Sequence, residues 1–170
     1  MKTVVKYNRH GFYNLLLNTL QIILYSMKKI AILLVSFGFF ALSCKTKVVP
    51  VSETIKKTWT AQIVKEGSAT VYTKGAAANT KPGYSSFVLN LLIAPSVTLK
   101  EADGNTFTGQ YELIGDTQLV LKNLNPVPTG TGGTITFTIN SVSDTELKIT
   151  RTTTSQKTGG TINDYTLVNP

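Results

Sequence analysis

The side chains that could perform chemistry are few and far apart. His10 and Cys44 are the only histidine and cysteine among the 170 residues, and both lie near the N-terminus. The rest of the chain therefore cannot supply a His/Cys metal cage, a Cys–His pair or a Ser–His–Asp triad. The sequence predicts no metal site and no cofactor.

Carboxylates are the remaining candidates, because a pair of them can perform acid–base catalysis. They stand beside predicted turns, at Glu101, Asp103, Asp116, Asp144 and Glu146. These positions are typical of turn and solvent-facing residues. The glycine-rich run 130–133 lacks the Lys-Ser/Thr pair and the following helix of a phosphate loop. We expect the protein not to be an enzyme.

The positive charge is concentrated at the N-terminus. The chain has 17 basic and 9 acidic residues, but residues 1–43 contain basic residues and no acidic one. The remainder is only mildly basic and lacks the clustered basic face of a nucleic-acid-binding protein. With 42% hydrophobic and 15% charged residues, the composition is also unlike that of an intrinsically disordered protein.

Residues 27–43 have the features of a secretory signal peptide. Lys28 and Lys29 precede an apolar run, residues 30–42, that ends at the small residue Ser43. The run is shorter than the roughly 20 residues that a membrane-spanning helix needs. The pattern therefore favours an export signal over a permanent anchor.

The end of this signal resembles the lipobox of bacterial lipoproteins. The residues that carry the resemblance are Ala41-Leu42-Ser43-Cys44, and Ala41 departs from the commoner leucine. The resemblance implies cleavage before Cys44, lipidation of its thiol and attachment to the membrane through that lipid. Residues 44–58 then form the lipid anchor and tether. The alternative is a plain signal peptide followed by a chance cysteine.

We interpret residues 1–26 as upstream sequence from a misassigned start, with translation beginning at Met27; a long signal with an extended basic region is the alternative. No aspartate follows Cys44 directly, which, by resemblance to enterobacterial lipoproteins, implies that no inner-membrane retention signal is present. The acidic cluster that resembles a surface-export signal in Bacteroidetes-type lipoproteins is also missing. We therefore expect an outer-membrane location that faces the periplasm, with the cell surface as the alternative.

From Trp59 onward, apolar and polar residues alternate with the period of a β-strand. Turn-forming pairs such as Gly115-Asp116 and Ser143-Asp144 separate the alternating runs. Longer loops are predicted at 74–83 and 125–133, and no helix beyond one turn at 76–79. The predicted strands are 59–65, 69–74, 84–93, 96–101, 105–113, 117–123, 133–141, 145–153 and 162–169.

Residues 59–170 are therefore predicted to form one all-β domain. Short hairpins between consecutive strands favour an antiparallel meander, and closing it into an eight- or nine-stranded barrel hides the edge strands. A β-sandwich is the alternative.

Two segments, 102–121 and 143–149, resemble the hairpins of Bacteroidetes-type lipocalin-like domain lipoproteins. The resemblance implies a lipocalin-like barrel and a small hydrophobic ligand. Lipocalins open with Gly-x-Trp, and a basic residue from a late strand covers that tryptophan. Trp59 and Arg151 are the matching residues here, although Lys57 replaces the glycine. The alternative is that Trp59 is a core aromatic and Arg151 reaches towards solvent.

Alternation predicts which side chains face the interior of the barrel. The candidate interior or ligand-binding residues are Phe87, Leu89, Leu91, Phe107, Tyr111, Phe137, Ile139, Ile149 and Tyr165. The same set could fill a solid core, so two functions stay open. One is the binding of a small hydrophobic ligand. The other is a non-catalytic structural or protein-interaction role in the cell envelope, with the long loops presented to a partner of unknown identity.

Overall fold

The computed structural model describes residues 19–25 and 49–170. Residues 19–25 form a helix, α1, within an N-terminal unit, Met1–Lys47. The predicted signal 27–43 and Cys44 lie outside the described residues. No helix in the described ranges is long and apolar enough to cross a membrane. The second unit, Val48–Pro170, contains the core and all the strands described below.

This second unit consists of nine strands with short helical segments between them. One helical turn, α2 (Val51–Thr54), precedes the first strand, and two 3-10 helices follow at Pro82–Ser86 and Gln156–Thr158. The strands are β1 (Thr58–Glu66), β2 (Ala69–Thr73), β3 (Val88–Asn90), β4 (Ser96–Lys100), β5 (Thr106–Ile114), β6 (Gln118–Asn125), β7 (Ile135–Val142), β8 (Glu146–Arg151) and β9 (Asn163–Val168).

The strands form a closed antiparallel barrel. From β3 to β9 each strand pairs with the next, and β1 pairs with both β3 and β9. These eight strands make the ring, while β2 pairs with the far half of β1 as an extra strand. The predicted meander and barrel are confirmed. The β-sandwich alternative is wrong, because the β1–β9 pairing joins the first and last strands of one continuous sheet.

The barrel has two ends, which we name for what lies there. The N-terminal end consists of residues 49–57 and the turns 91–95, 115–117 and 143–145. The mouth consists of the β1–β2 turn and the connections 74–87, 101–105, 126–134 and 152–162.

Two predicted boundaries differ from the structure. The predicted strand 84–93 contains only the three residues of β3, because a 3-10 helix precedes it and the chain turns directly after it. The Asn90 side chain accepts a hydrogen bond from the Leu92 N–H at 3.0 Å and so stabilises the turn, which leaves Ile93 71% exposed. The predicted tether also ends earlier, since Ile55 is fully buried in the core.

The shortness of β3 shapes the mouth. Above β3 no strand continues the wall between β1 and β4, and the 3-10 helix Pro82–Ser86 fills this place. Gly83 in this helix lies against the β4–β5 turn, where a Cβ would come 2.4 Å from the Ala102 carbonyl oxygen. Only a residue without a side chain allows so close an approach.

The half of the barrel nearest the N-terminal end is filled by apolar side chains. Trp59, Leu89 and Leu147 are each fully buried there, and the Trp59 indole N–H donates a hydrogen bond to the Ile55 carbonyl at 2.9 Å. The α2 segment, which is part of the domain, thus closes this end of the barrel. Open space is found instead at the mouth.

Candidate functional site

A cavity of about 400 Å³ opens at the mouth of the barrel. It lies between the ends of β1 and β9, the 3-10 helix, the β4–β5 turn and the β8–β9 connection. Its lining residues are Glu66, Lys81, Gly83, Tyr84, Phe87, Glu101, Ala102, Asp103, Ser155, Lys157, Thr158, Asn163 and Tyr165.

Aromatic rings form the apolar part of the cavity wall. Phe87 stacks on Tyr165 with ring centroids 5.1 Å apart and an interplanar angle of 22°. Tyr84 meets the Tyr165 ring edge-on at 6.3 Å, and Phe137 does so at 6.0 Å. Alternation along β9 directs Tyr165 inward, so the cluster is anchored in the core.

A buried carboxylate holds the 3-10 helix to the barrel. Glu66 at the end of β1 is 8% exposed. Its Oε2 accepts a hydrogen bond from the Lys81 ammonium at 2.5 Å, and its Oε1 accepts one from the Tyr84 hydroxyl at 2.8 Å. Burial, reinforced by Tyr165 and the Glu66 carboxylate, raises the pKa of Tyr84 far above its usual value. Tyr84 therefore remains a hydrogen-bond donor at any physiological pH.

Lys157 closes the opposite side of the mouth. Its ammonium group lies 2.5 Å from Glu101 Oε2 and 2.8 Å from Asp103 Oδ2, and 4.8 Å from the centroid of the Phe107 ring. Burial alone would lower the pKa of Lys157, but its hydrogen bonds to Asp103 and Glu101 outweigh this and raise it. The β8–β9 connection is thus bound to the β4–β5 turn across the cavity.

The base of the mouth carries a polar network. The Asn163 amide donates to the Tyr165 hydroxyl at 3.3 Å, while its carbonyl oxygen accepts from Thr158 at 3.1 Å and from Thr161 at 2.8 Å. Burial raises the pKa of Tyr165 to about 12, although Asn163 and Arg151 lower it in part. The network fixes the ring that forms the cavity wall.

Arg151 is buried behind this wall. It continues the inward-facing positions of β8 after Leu147 and Ile149, and it is 5% exposed. Its Nε has no hydrogen-bond partner among the described residues. The carboxylates beside the cavity are bonded to Lys81 and Lys157 instead. The Nε–H group therefore carries a desolvation cost that no hydrogen bond offsets.

The structure does not bring together the predicted pair of Trp59 and Arg151. Thr60 of β1 and Glu146 of β8 both pair with Val168 of β9, so they lie at the same level near the N-terminal end. Arg151 lies at the far end of β8, beside the mouth. At about 3.3 Å per residue, the two side chains are separated by most of the length of the barrel. The prediction of a closing contact between them is therefore wrong.

The cation that faces Trp59 is Lys57, the residue that replaces the glycine of the lipocalin pattern. Its ammonium lies 5.9 Å from the centroid of the indole. It also donates to the Asp144 carboxylate at 3.0 Å and to the Asp144 carbonyl at 2.6 Å. Lys57 thus joins the start of β1 to the β7–β8 turn.

All nine predicted interior residues are buried in the core, and two of them, Phe87 and Tyr165, line the cavity. Tyr111 uses its hydroxyl to donate to the Leu91 carbonyl at 3.1 Å. The other members of the set pack against one another: Leu89, Leu91, Phe107, Phe137, Ile139 and Ile149. The interior set therefore forms a filled core below a cavity.

Sequence reasoning missed the polar half of the cavity. Strict alternation from Trp59 would turn Glu66 outward, but a bulge between Ala61 and Ile63 shifts the pattern and turns it inward. Lys81 and Lys157 stand in irregular connections where no periodicity applies. The local sequence contains no signal that marks these three residues.

The three carboxylates at the mouth are each paired with a lysine: Glu66 with Lys81, and Glu101 and Asp103 with Lys157. Within residues 19–25 and 49–170, no three His, Cys, Asp or Glu side chains are placed to hold a metal ion.

Comparison with known proteins identifies similar solved structures. A crystal structure of a lipocalin-like protein from Bacteroides uniformis ATCC 8492 covers 69% of this chain and 99% of its own, with 17% identity and a TM-score of 0.43. An uncharacterized protein from Bacteroides eggerthii DSM 20697 covers 67% of this chain and 98% of its own, with 14% identity and a TM-score of 0.42. No protein-family model and no curated protein matches the sequence.

Proposed function

We propose that the protein binds a small, largely apolar molecule in the cavity at the barrel mouth, and that a lipid on Cys44 holds it at the outer membrane facing the periplasm. The proposal assigns it no catalytic step. The observation that carries the binding role is the cavity itself. Its volume of about 400 Å³ falls within the range of small-molecule sites, roughly 300–1,000 Å³.

The composition of the wall supports this role. The stacked rings of Phe87 and Tyr165 offer an apolar surface, and the lysine–carboxylate pairs at the rim can orient a polar group of the ligand. Sites for small molecules combine these two features. The filled lower core limits the ligand to the mouth, since Leu89 and Leu147 leave no room below it.

The anchoring part of the proposal rests on the sequence. Cys44 is the only cysteine and directly follows the small residue Ser43 at the end of the apolar signal. Several acyl chains, at about 0.8 kcal/mol per buried methylene, give stable attachment. A mass spectrum of the membrane-extracted protein tests this part: acylated Cys44 should form the N-terminus, and Cys44→Ala should prevent acylation.

A non-catalytic structural or protein-interaction role is the second candidate. The observation that favours it is the completely filled core near the N-terminal end, where Trp59, Leu89 and Leu147 are fully buried. In that case the mouth connections contact a partner protein and the cavity holds only water.

Ligand binding is tested by native mass spectrometry of residues 46–170, which include the whole compact unit, purified without detergent. We expect a reproducible added mass that solvent extraction releases as an apolar compound. A titration with the neutral fluorophore N-phenyl-1-naphthylamine follows, with saturable enhancement of emission expected.

A matched pair of variants locates the site. Ala102 lines the cavity, so Ala102→Trp should fill it and lower the affinity for the fluorophore at least tenfold. Ala77 is exposed in the loop before the 3-10 helix, so Ala77→Trp adds the same side chain without entering the cavity. An apo mass together with no saturable binding would reject the carrier role and support the second candidate.

A further inference from the structure

Exposed apolar side chains are concentrated at the N-terminal end of the barrel. Residues 49–170 expose five large apolar side chains. Four of them, Val49, Leu92, Ile93 and Ile114, lie at or beside this end, and the fifth, Val127, lies at the mouth. Leu92 is 57% and Ile93 is 71% exposed, side by side at the tip of the β3–β4 turn.

This turn is held firmly in place. The Leu91 N–H donates to the Lys57 carbonyl at 3.0 Å, and the Ser96 N–H donates to the Ile93 carbonyl at 2.8 Å. The Tyr111 hydroxyl donates to the Leu91 carbonyl at 3.1 Å. The two exposed side chains are therefore presented by a fixed backbone, and no packing inside the domain requires them to be apolar.

We propose that the N-terminal end of the barrel rests on the bilayer surface, with Leu92, Ile93 and Ile114 inserted among the lipid headgroups. This inference rests on the proposed lipid at Cys44. Cys44 stands five residues before Val49, and at about 3.6 Å per residue the chain holds Val49 within about 20 Å of the acylated cysteine. The exposed apolar side chains thus lie at the end of the barrel that the lipid holds near the membrane.

The charges at this end are compatible with such a position. Lys56 pairs with Glu53 at 2.7 Å and Lys57 pairs with Asp144 at 3.0 Å, so both lysines are neutralised locally. Asp116 adds one exposed carboxylate in the 115–117 turn. Lys45 and Lys47 stand between the anchor and the domain, where they attract anionic lipid headgroups.

The mouth lies at the opposite end of the barrel, so this orientation directs it away from the bilayer and into the aqueous compartment. A ligand would then enter from water or from a soluble partner, and not directly from the membrane.

The test uses the full-length protein, produced in bacteria and reconstituted into vesicles of phosphatidylethanolamine and phosphatidylglycerol. Acylation blocks the Cys44 thiol, so a single introduced cysteine can carry the environment-sensitive nitrobenzoxadiazole label. Ile93→Cys reports on the β3–β4 turn. Val127→Cys is the matched control, since Val127 is 63% exposed at the mouth.

We expect the label at Ile93→Cys to shift to the blue on vesicles, and headgroup-proximal spin-labelled lipids to quench it at least twofold more than the label at Val127→Cys. Equal emission and equal quenching at both positions on vesicle-bound protein would overturn the inference while leaving the lipid anchor intact. Protein that does not float with the vesicles, and whose mass shows an unmodified Cys44, would reject the anchor and the orientation with it.

Discussion

The rings of Phe87 and Tyr165 stack with their centroids 5.1 Å apart, and both rings line the cavity. Phe87 directly follows the 3-10 helix, whereas Tyr165 belongs to β9, so the contact connects the part of the wall that is not a strand to the strand that closes the barrel. The cavity lies where the 3-10 helix meets the strand wall of the barrel.

Removing the Phe87 ring should destabilise the domain. We expect Phe87→Ala to lower the free energy of unfolding by about 3 kcal/mol, because a buried phenylalanine contributes that much in a well-packed site. Urea denaturation measures the change, with the exposed Val127→Ala as the control, expected within about 0.5 kcal/mol of the parent. A cost for Phe87→Ala as small as that of the control would contradict the stacked arrangement.

Lys157 should make stability depend on pH at both extremes. Burial alone would raise the pKa of Asp103, but its hydrogen bonds to Lys157 and Asn105 outweigh this and lower the pKa below its usual 3.8. The pKa of Lys157 is raised above 10.5. The stabilisation is therefore present between these values. It is lost as pH falls through the lowered pKa of Asp103 or rises through the raised pKa of Lys157.

Thermal unfolding of the parent and of Lys157→Met checks this. The difference in Tm should be largest between about pH 5 and 9 and should shrink below about pH 3.5. A difference that stays constant from pH 2.5 to 9 would show that Lys157 contributes through packing and not through its charge.

Replacing Arg151 by an apolar residue should stabilise the protein. The Nε of Arg151 is buried without a partner among the described residues, and replacing the side chain by methionine removes this unpaired donor, with an expected gain of about 1 kcal/mol. Chemical denaturation of Arg151→Met measures the gain, and Arg151→Lys, which keeps a buried charge, should show none. A loss of stability in Arg151→Met would mean that the guanidinium is bonded in solution.

Gly83 should tolerate no side chain. A Cβ there would lie 2.4 Å from the Ala102 carbonyl oxygen, so Gly83→Ala should force the 3-10 helix away from the β4–β5 turn and cost about 1–3 kcal/mol. Ser85→Ala in the same 3-10 helix is the control, since Ser85 is exposed and its replacement should change stability by no more than about 0.5 kcal/mol. If the two variants unfold at the same urea concentration, the close approach does not limit the site.

The sequence alone determined the secondary structure of most of the domain. Period-two alternation and turn pairs such as Gly115-Asp116 depend on neighbouring residues only, so they located eight of the nine strands to within two residues. Alternation also placed Phe87 and Tyr165 inside the barrel. These features need no knowledge of which strand lies beside which.

The depth of each residue in the barrel and the shape of the cavity depend on strand register and on the closure of the sheet. Only the tertiary structure decided these features. The β1–β9 pairing places Arg151 at the mouth and Trp59 at the other end, although both occupy inward positions. The bulge in β1 turns Glu66 inward, and the shortness of β3 leaves room for the 3-10 helix and the cavity. A local pattern specifies which face of a strand a residue occupies, whereas its depth in the barrel is set by hydrogen bonds to strands distant in sequence.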